Sequence, residues 1–74
     1  MSKKSELKKQ IADTEREIEA LENKRARSQS ALMRAMLTNQ KPDPMDEKYF
    51  KVFSNLIDEE REKLRKLLAE LENL

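Results

Sequence analysis

Two runs of residues at heptad spacing, separated by a pair of prolines, constrain the fold of this chain more than any other feature. Their steps alternate between three and four residues, which is the period of a coiled coil rather than the broader stripe of a globular helix. The first run is Leu7, Ile11, Thr14, Ile18, Leu21, Arg25, Ser28, Leu32 and Ala35. The second run is Phe50, Phe53, Ile57, Glu60, Leu64, Leu67, Leu71 and Leu74. The spacing predicts two long helices that pack through these runs, which are together termed the seam.

Residues 39–43 are the predicted bend between the helices. Pro42 and Pro44 are the only prolines, and the chain has no glycine. A proline lacks a backbone N–H and biases the preceding residue away from helical geometry, so we expect the first helix to stop near Asn39. Asn39 tolerates left-handed geometry and can terminate the helix where glycine usually stands. Asp43 is a favoured N-cap, and Pro44 occupies the favoured first helical position of the second helix.

The predicted fold is therefore all-α, an antiparallel two-helix hairpin of coiled-coil type with helices over about 3–38 and 44–73. We treat residues 1–74 as one domain. Chains this short rarely bury enough apolar surface to be stable alone, and no cysteine is present to form a disulfide. We therefore expect two copies to form a four-helix bundle. One long helix in a parallel coiled coil is the alternative, which the prolines disfavour.

The seams also predict how the helices are aligned. In an antiparallel pair the numbers of facing residues have a constant sum, and a sum of about 85 pairs the two seams throughout. This register places Arg25, the one cation of the seam, opposite Glu60, its one anion. A charged pair at one layer can fix register and oligomeric state at some loss of stability, so we expect Arg25 and Glu60 to form a register-setting polar layer. The alternative is that both side chains extend past the narrow seam into water.

Apolar residues outside the seam are concentrated near the bend. They are Ala31, Met33, Met36 and Leu37 in the first helix and Tyr49, Val52 and Leu56 in the second, and they are termed the bend-proximal surface. Two helices cannot cover this surface, so we expect it to contact further helices. A second copy of the chain would supply them, or a different helical protein, for which flexible methionines are well suited.

No residue pattern in the sequence predicts catalysis. Histidine and cysteine are absent, which removes the commonest metal ligands and general bases and every thiolate nucleophile. Without glycine there is no glycine-rich phosphate loop. The many carboxylates are typical of solvated helix faces. We therefore expect no enzyme activity, no catalytic residue, no cofactor and no metal site.

A basic stretch supports an alternative function. Residues 23–42 contain five cations and no acid. A basic helix face can bind nucleic-acid phosphates without sequence specificity. The candidate contacts are Lys24, Arg27, Arg34 and Lys41. The net charge of only +1 and the lack of an aromatic residue among these cations count against nucleic-acid binding.

The helix–bend–helix plan resembles two classes of small helical protein. Its length and tight bend resemble the Rop-type RNA-binding hairpins, a resemblance that implies a dimeric four-helix bundle and RNA binding. The second helix begins at Pro44 and continues into an apolar run that contains Tyr49. That pattern is similar to the small hairpin co-chaperones of type III secretion and implies a protein-binding role.

These observations together predict a small interaction module, either an adaptor, a co-chaperone or an assembly factor. Its partner would be itself, as a homodimer, or another helical protein. The chain has no run of about 18 apolar residues, and its first nine residues lack the apolar core of a secretory signal. We therefore expect a cytoplasmic protein with no membrane partner.

Overall fold

A computed structural model describes residues 2–74 as two helices packed against each other. Helix α1 spans Lys3–Leu37 and helix α2 spans Pro44–Glu72. They form a rod with extents of 55 × 16 × 15 Å, and no strand occurs within these residues. The predicted all-α antiparallel hairpin is thereby confirmed. Neither described helix contains a stretch long and apolar enough to cross a membrane.

Polar caps determine where both helices begin. The Ser2 hydroxyl caps α1 by accepting a hydrogen bond of 3.2 Å from the N–H of Ser5. The Asp43 carboxylate caps α2 by accepting one of 2.9 Å from the N–H of Met45. Pro44 takes the first helical position of α2, where its missing N–H costs nothing. Each cap satisfies a backbone donor that has no partner within its helix, which contributes about 1 kcal/mol.

Helix α1 ends in a Schellman motif built on Asn39. This residue has a φ of 56°, in the left-handed region. The N–H of Gln40 donates to the carbonyl of Ala35 over 2.9 Å, and the N–H of Asn39 donates to the carbonyl of Met36 over 3.3 Å. These bonds satisfy carbonyls that would otherwise have no partner at the helix end. Asn39 therefore terminates the helix as predicted, in the position that glycine usually takes.

The interface between the helices is formed by the seam. The buried residues are Leu7, Ile11, Thr14, Ile18, Leu21 and Ser28 in α1 and Ile57 and Leu67 in α2. Thr14 is buried without an energetic penalty because its hydroxyl donates to the carbonyl of Gln10 over 2.8 Å. Every buried residue of the described chain thus belongs to the predicted seam.

The register of the two helices differs from the predicted one by one heptad. Leu7 and Ile11 share an apolar cluster with Leu64, Leu67 and Leu71 at the open end of the hairpin, opposite the bend. The predicted register would leave Leu7 beyond the end of α2 and would cover Ile11 with Leu74. In the structure Leu7 is only 5% exposed, whereas Leu74 is 60% exposed. The numbers of facing residues therefore sum to about 78 rather than about 85.

The burial of Leu7 explains why the predicted register is wrong. A shift of one heptad keeps the two seams in contact, so the spacing alone does not distinguish the two registers. The predicted register would also pair Arg25 with Glu60, but a partly exposed ion pair contributes only about 0–1 kcal/mol. Burial of one leucine side chain contributes about 2 kcal/mol. The burial of Leu7 therefore favours the observed register by more than the ion pair would favour the predicted one.

Candidate interaction surface

Most of the exposed apolar side chains lie near the bend. Within the bend-proximal surface, Ala31 is half-buried and Met33, Met36, Leu37, Tyr49, Val52 and Leu56 are exposed. Met45 is exposed as well, although the prediction did not include it. Helical spacing places Met36 on the opposite side of the hairpin from Tyr49 and Leu56, and Met33 and Leu37 on outer faces of α1. The bend-proximal surface is therefore not one continuous patch.

Four apolar residues of α2 form a stripe along one face of the helix. Met45, Tyr49, Val52 and Leu56 follow each other at steps of four, three and four residues. Residues at these steps share one helix face. Their exposed fractions lie between 38% and 47%, and the next residues on this face are Glu59 and Lys63. This set is termed the α2 stripe. Its spacing would have revealed Met45 in the sequence, had the residues outside the seam been tested for a period of their own.

The α2 stripe joins the seam at Tyr49. The rings of Tyr49 and Phe53 stack with their centroids 6.1 Å apart and their planes at 26°. Phe53 is a half-buried residue of the seam. Stacking on a seam residue limits the orientations of the Tyr49 ring.

Three cations of α1 lie along the same side of the hairpin. Lys24 and Arg27 line one shallow depression together with Ser28, Asp46, Tyr49 and Phe53. Arg34 follows Arg27 by two helical turns and therefore shares its face. All three cations are exposed, and none forms an ion pair with a carboxylate of residues 2–74. Lys24, Arg27 and Arg34 are termed the α1 basic row.

The fourth candidate nucleic-acid contact lies apart from the α1 basic row. Lys41 is exposed in the bend, beyond the end of α1. The structure also places an aromatic ring beside the basic row, because Tyr49 shares the depression with Lys24 and Arg27. This neighbour could not be predicted from the seam, since only the observed register places Tyr49 beside these cations.

The structure does not bring Arg25 and Glu60 together as the expected polar layer. Both residues are half-buried, and Glu60 lines a depression with Thr14 and Glu17, far along α1 from Arg25. Within the described chain, no hydrogen bond or ion pair joins Arg25 to a carboxylate. The one-heptad shift is the cause, because it moves Glu60 level with Ile18.

An ion pair between the helices occurs elsewhere on the hairpin. Nη2 of Arg61 lies 3.1 Å from Oε2 of Glu22, at an exposed edge of the interface. On the outer face of α2, Arg65 forms a second pair with Glu62. Its hydrogen bonds to Glu62 lower the pKa of that carboxyl, and the pKa of Arg65 is raised in return. Both pairs are exposed, as is common on helix surfaces.

Comparison with known proteins gives this chain no family. No protein-family model, curated protein or solved structure matches it. The α2 stripe and the α1 basic row, side by side near the bend, are therefore the observations on which a functional proposal rests.

Proposed function

We propose that this protein is a small non-enzymatic interaction module that binds helical proteins through its bend-proximal surface, as an adaptor, co-chaperone or assembly factor. The observation that carries the proposal is the exposure of the α2 stripe, whose four side chains are between 38% and 47% exposed. Single exposed apolar residues are ordinary on protein surfaces, whereas contiguous ones mark association sites.

The size of the α2 stripe limits what it can do alone. Full burial of a large apolar side chain contributes about 1.5–3 kcal/mol, so four half-exposed side chains offer roughly 3–5 kcal/mol. A dissociation constant of 1 μM corresponds to about 8 kcal/mol. A partner of that affinity must therefore contact further groups. Met36 and Leu37, which are 77% and 81% exposed, are available on other faces near the bend.

Self-association is one form of this proposal. Two hairpins that pack through their bend-proximal surfaces would form a four-helix bundle, in which each copy covers apolar side chains of the other. One or two helices of a different protein would complete the bundle in the same way.

Charged substitutions in the bend-proximal surface test the proposal. We expect Met36→Lys combined with Tyr49→Lys to abolish self-association, measured by sedimentation velocity, or retention of a partner in affinity isolation from native cells. The matched control is Asn55→Lys, which adds a lysine at an exposed position of α2 outside the α2 stripe. Circular dichroism of each variant establishes that the hairpin remains folded. Association that persists in the double variant would contradict the proposal.

Nucleic-acid binding is the second candidate function, and the α1 basic row is the observation that favours it. Three cations on one face, none of which forms an ion pair within residues 2–74, can contact phosphates, with Lys41 as a fourth. If three cations contact duplex DNA, raising the salt from about 50 to 200 mM should weaken binding roughly 40-fold. Fluorescence anisotropy with labelled duplex DNA and RNA measures this dependence. No binding at the lower salt would eliminate the candidate.

A further inference from the structure

We infer that the side of the hairpin carrying the α2 stripe docks an amphipathic helix whose apolar face is flanked by acidic residues. This inference rests on the proposed function and specifies the chemistry of the partner. Its basis is the arrangement of the α2 stripe and the α1 basic row on one side of the molecule.

The α2 stripe and the α1 basic row run side by side over the same length. In the observed register Lys24 is level with Ser54, next to the Leu56 end of the stripe, and Arg34 is level with Pro44, next to the Met45 end. The two sets are adjacent, since Lys24 and Arg27 line the shared depression with Tyr49. A helix lying on the stripe would therefore meet cations along one flank only.

The charge on this side of the hairpin has little internal compensation. No residue of the α1 basic row forms an ion pair within residues 2–74. Asp46, which is half-buried at the edge of the interface, is the one carboxylate that lines the shared depression. Acidic side chains on a partner would pair with these cations without displacing an existing ion pair. A partner with basic side chains on this flank would be repelled by the α1 basic row.

If a second copy packs on this side with its bend at the opposite end, the α1 basic row gains acidic partners but the α2 stripe gains no apolar ones. On the same side of α1, the half near the open end carries Glu6, Asp13 and Glu17. In this packing those acids lie over the α1 basic row of the other copy. The α2 stripe of each copy then lies over the charged half of the other α2, which carries Glu59, Lys63 and Lys66.

Two other packings of two copies leave the cations of the α1 basic row without acidic partners. If both bends lie at the same end, the α2 stripe of one copy covers the α1 basic row of the other, and the cations lose water without gaining an acid. If the copies overlap only at their bends, the two stripes meet but the two basic rows meet as well. A second copy thus satisfies either the charges or the apolar stripe, whereas one acidic amphipathic helix satisfies both.

The length of the α2 stripe sets the size of the docked segment. Met45 and Leu56 are eleven residues apart in a helix, about 17 Å at 1.5 Å per residue. The partner segment should therefore be about three helical turns long, with apolar residues at three- and four-residue steps and Glu or Asp on the flank facing the α1 basic row. This is the helix-in-groove mode of recognition, with a charged edge added.

A selection experiment tests the charge of the partner directly. The probe is a displayed library of helical peptides about 18 residues long, with fixed Leu and Ile at three- and four-residue steps and flanking positions drawn at random from Glu, Gln and Lys. The full chain is the bait. We expect the selected peptides to be enriched in Glu on one flank. Replacing those Glu residues by Lys in a selected peptide should weaken binding about tenfold or more, measured by fluorescence anisotropy.

Charge reversal in the protein provides the second arm of the experiment. The combined substitutions Lys24→Glu, Arg27→Glu and Arg34→Glu should change the selected flank from Glu to Lys. The matched control is Lys3→Glu with Lys8→Glu and Lys9→Glu, which makes the same change in net charge at the open end, on exposed residues. The control should select the same acidic flank as the unmodified chain.

The possible outcomes separate the inference from the proposed function. A neutral or basic flank, or selection unchanged by reversal of the α1 basic row, overturns the inference and leaves apolar association intact. The inference is also overturned if the chain forms a dimer and Tyr49→Ser with Leu56→Ser dissociates it, since a second copy then covers this side. Displacement of the peptide by an RNA oligonucleotide at about 150 mM salt also overturns the inference. Selection that survives Tyr49→Ser with Leu56→Ser also overturns the inference, because the peptide then binds away from the α2 stripe. Selection that survives Met36→Lys with Tyr49→Lys as well overturns both. Failure to select any peptide overturns the inference alone.

Discussion

Leu7 of α1 and Leu67 of α2 are buried in one cluster at the open end of the hairpin, 5% and 8% exposed respectively. Leu7 reaches this cluster only in the observed register. The other apolar members of the seam still face a residue of the chain after a shift of one heptad, but Leu7 would extend past the end of α2. One leucine near the beginning of α1 therefore contributes strongly to how two helices of 35 and 29 residues are aligned.

The first prediction tests this contribution by truncation of Leu7. We expect Leu7→Ala to lower the free energy of unfolding by about 2–4 kcal/mol, because it removes a buried side chain and leaves a cavity. Leu74→Ala is the control, with an expected cost below about 1 kcal/mol because Leu74 is 60% exposed. Urea denaturation followed by circular dichroism measures both. A larger cost for Leu74→Ala would support the register in which it covers Ile11.

The second prediction concerns the ion pairs between the helices. A double-mutant cycle with Arg61→Ala and Glu22→Ala should give a coupling energy of about 0.5 kcal/mol, which salt reduces, because the pair is exposed. The same cycle with Arg25→Ala and Glu60→Ala should give a coupling near zero, since the two residues are not in contact. A coupling energy for Arg25 and Glu60 above that of the Arg61–Glu22 pair would support the predicted polar layer.

The third prediction concerns the left-handed residue of the bend. Asn39→Ala should lower the free energy of unfolding by about 1 kcal/mol, because alanine tolerates a φ of 56° less well than asparagine. Asn39→Gly should be neutral or slightly stabilising, since glycine carries no Cβ penalty there. Gln40→Ala is the neighbouring control and should have little effect. Thermal denaturation of the three variants measures the differences, and an alanine variant as stable as the glycine variant would contradict the motif.

The fourth prediction concerns the pH dependence of the pair on the outer face of α2. The Arg65 hydrogen bonds hold the pKa of Glu62 below its ordinary value of 4.5, so the charged pair stabilises α2 above that value. This contribution is lost as the pH falls through the lowered pKa of Glu62. Arg65→Gln should raise the pKa of Glu62, measured by NMR titration of its side-chain carboxyl. Lys66→Gln should raise it less, and equal effects would count against the hydrogen bonds as the main cause.

Local features of the fold could be predicted from the sequence because each depends on a few adjacent residues. Asp43 and Pro44 define the beginning of α2, and Asn39 terminates α1, through hydrogen bonds that span at most five residues. The seam was predictable for a related reason, since its period repeats within each helix.

The alignment of the helices could not be predicted in the same way, because it depends on residues far apart in the chain. Two registers one heptad apart satisfy the same seam, and their difference lies in how much apolar surface is covered at the open end. The Arg25–Glu60 pair that follows from the predicted register contributes too little to decide between the two. The composition of the candidate site depended on this alignment, since only the observed register places Tyr49 beside Lys24 and Arg27.

The antiparallel course of the chain places Ser2 and Leu74 at one end of the molecule and the α2 stripe near the other. Ser2 and Leu74 lie at the open end, whereas the bend is at the far end of a rod 55 Å long. A fluorophore, an affinity tag or an immobilising bead attached at either terminus would therefore stay clear of the α2 stripe. Labels on both ends would lie close together in the folded hairpin and separate on unfolding, which provides an optical readout of stability that leaves the α2 stripe unlabelled.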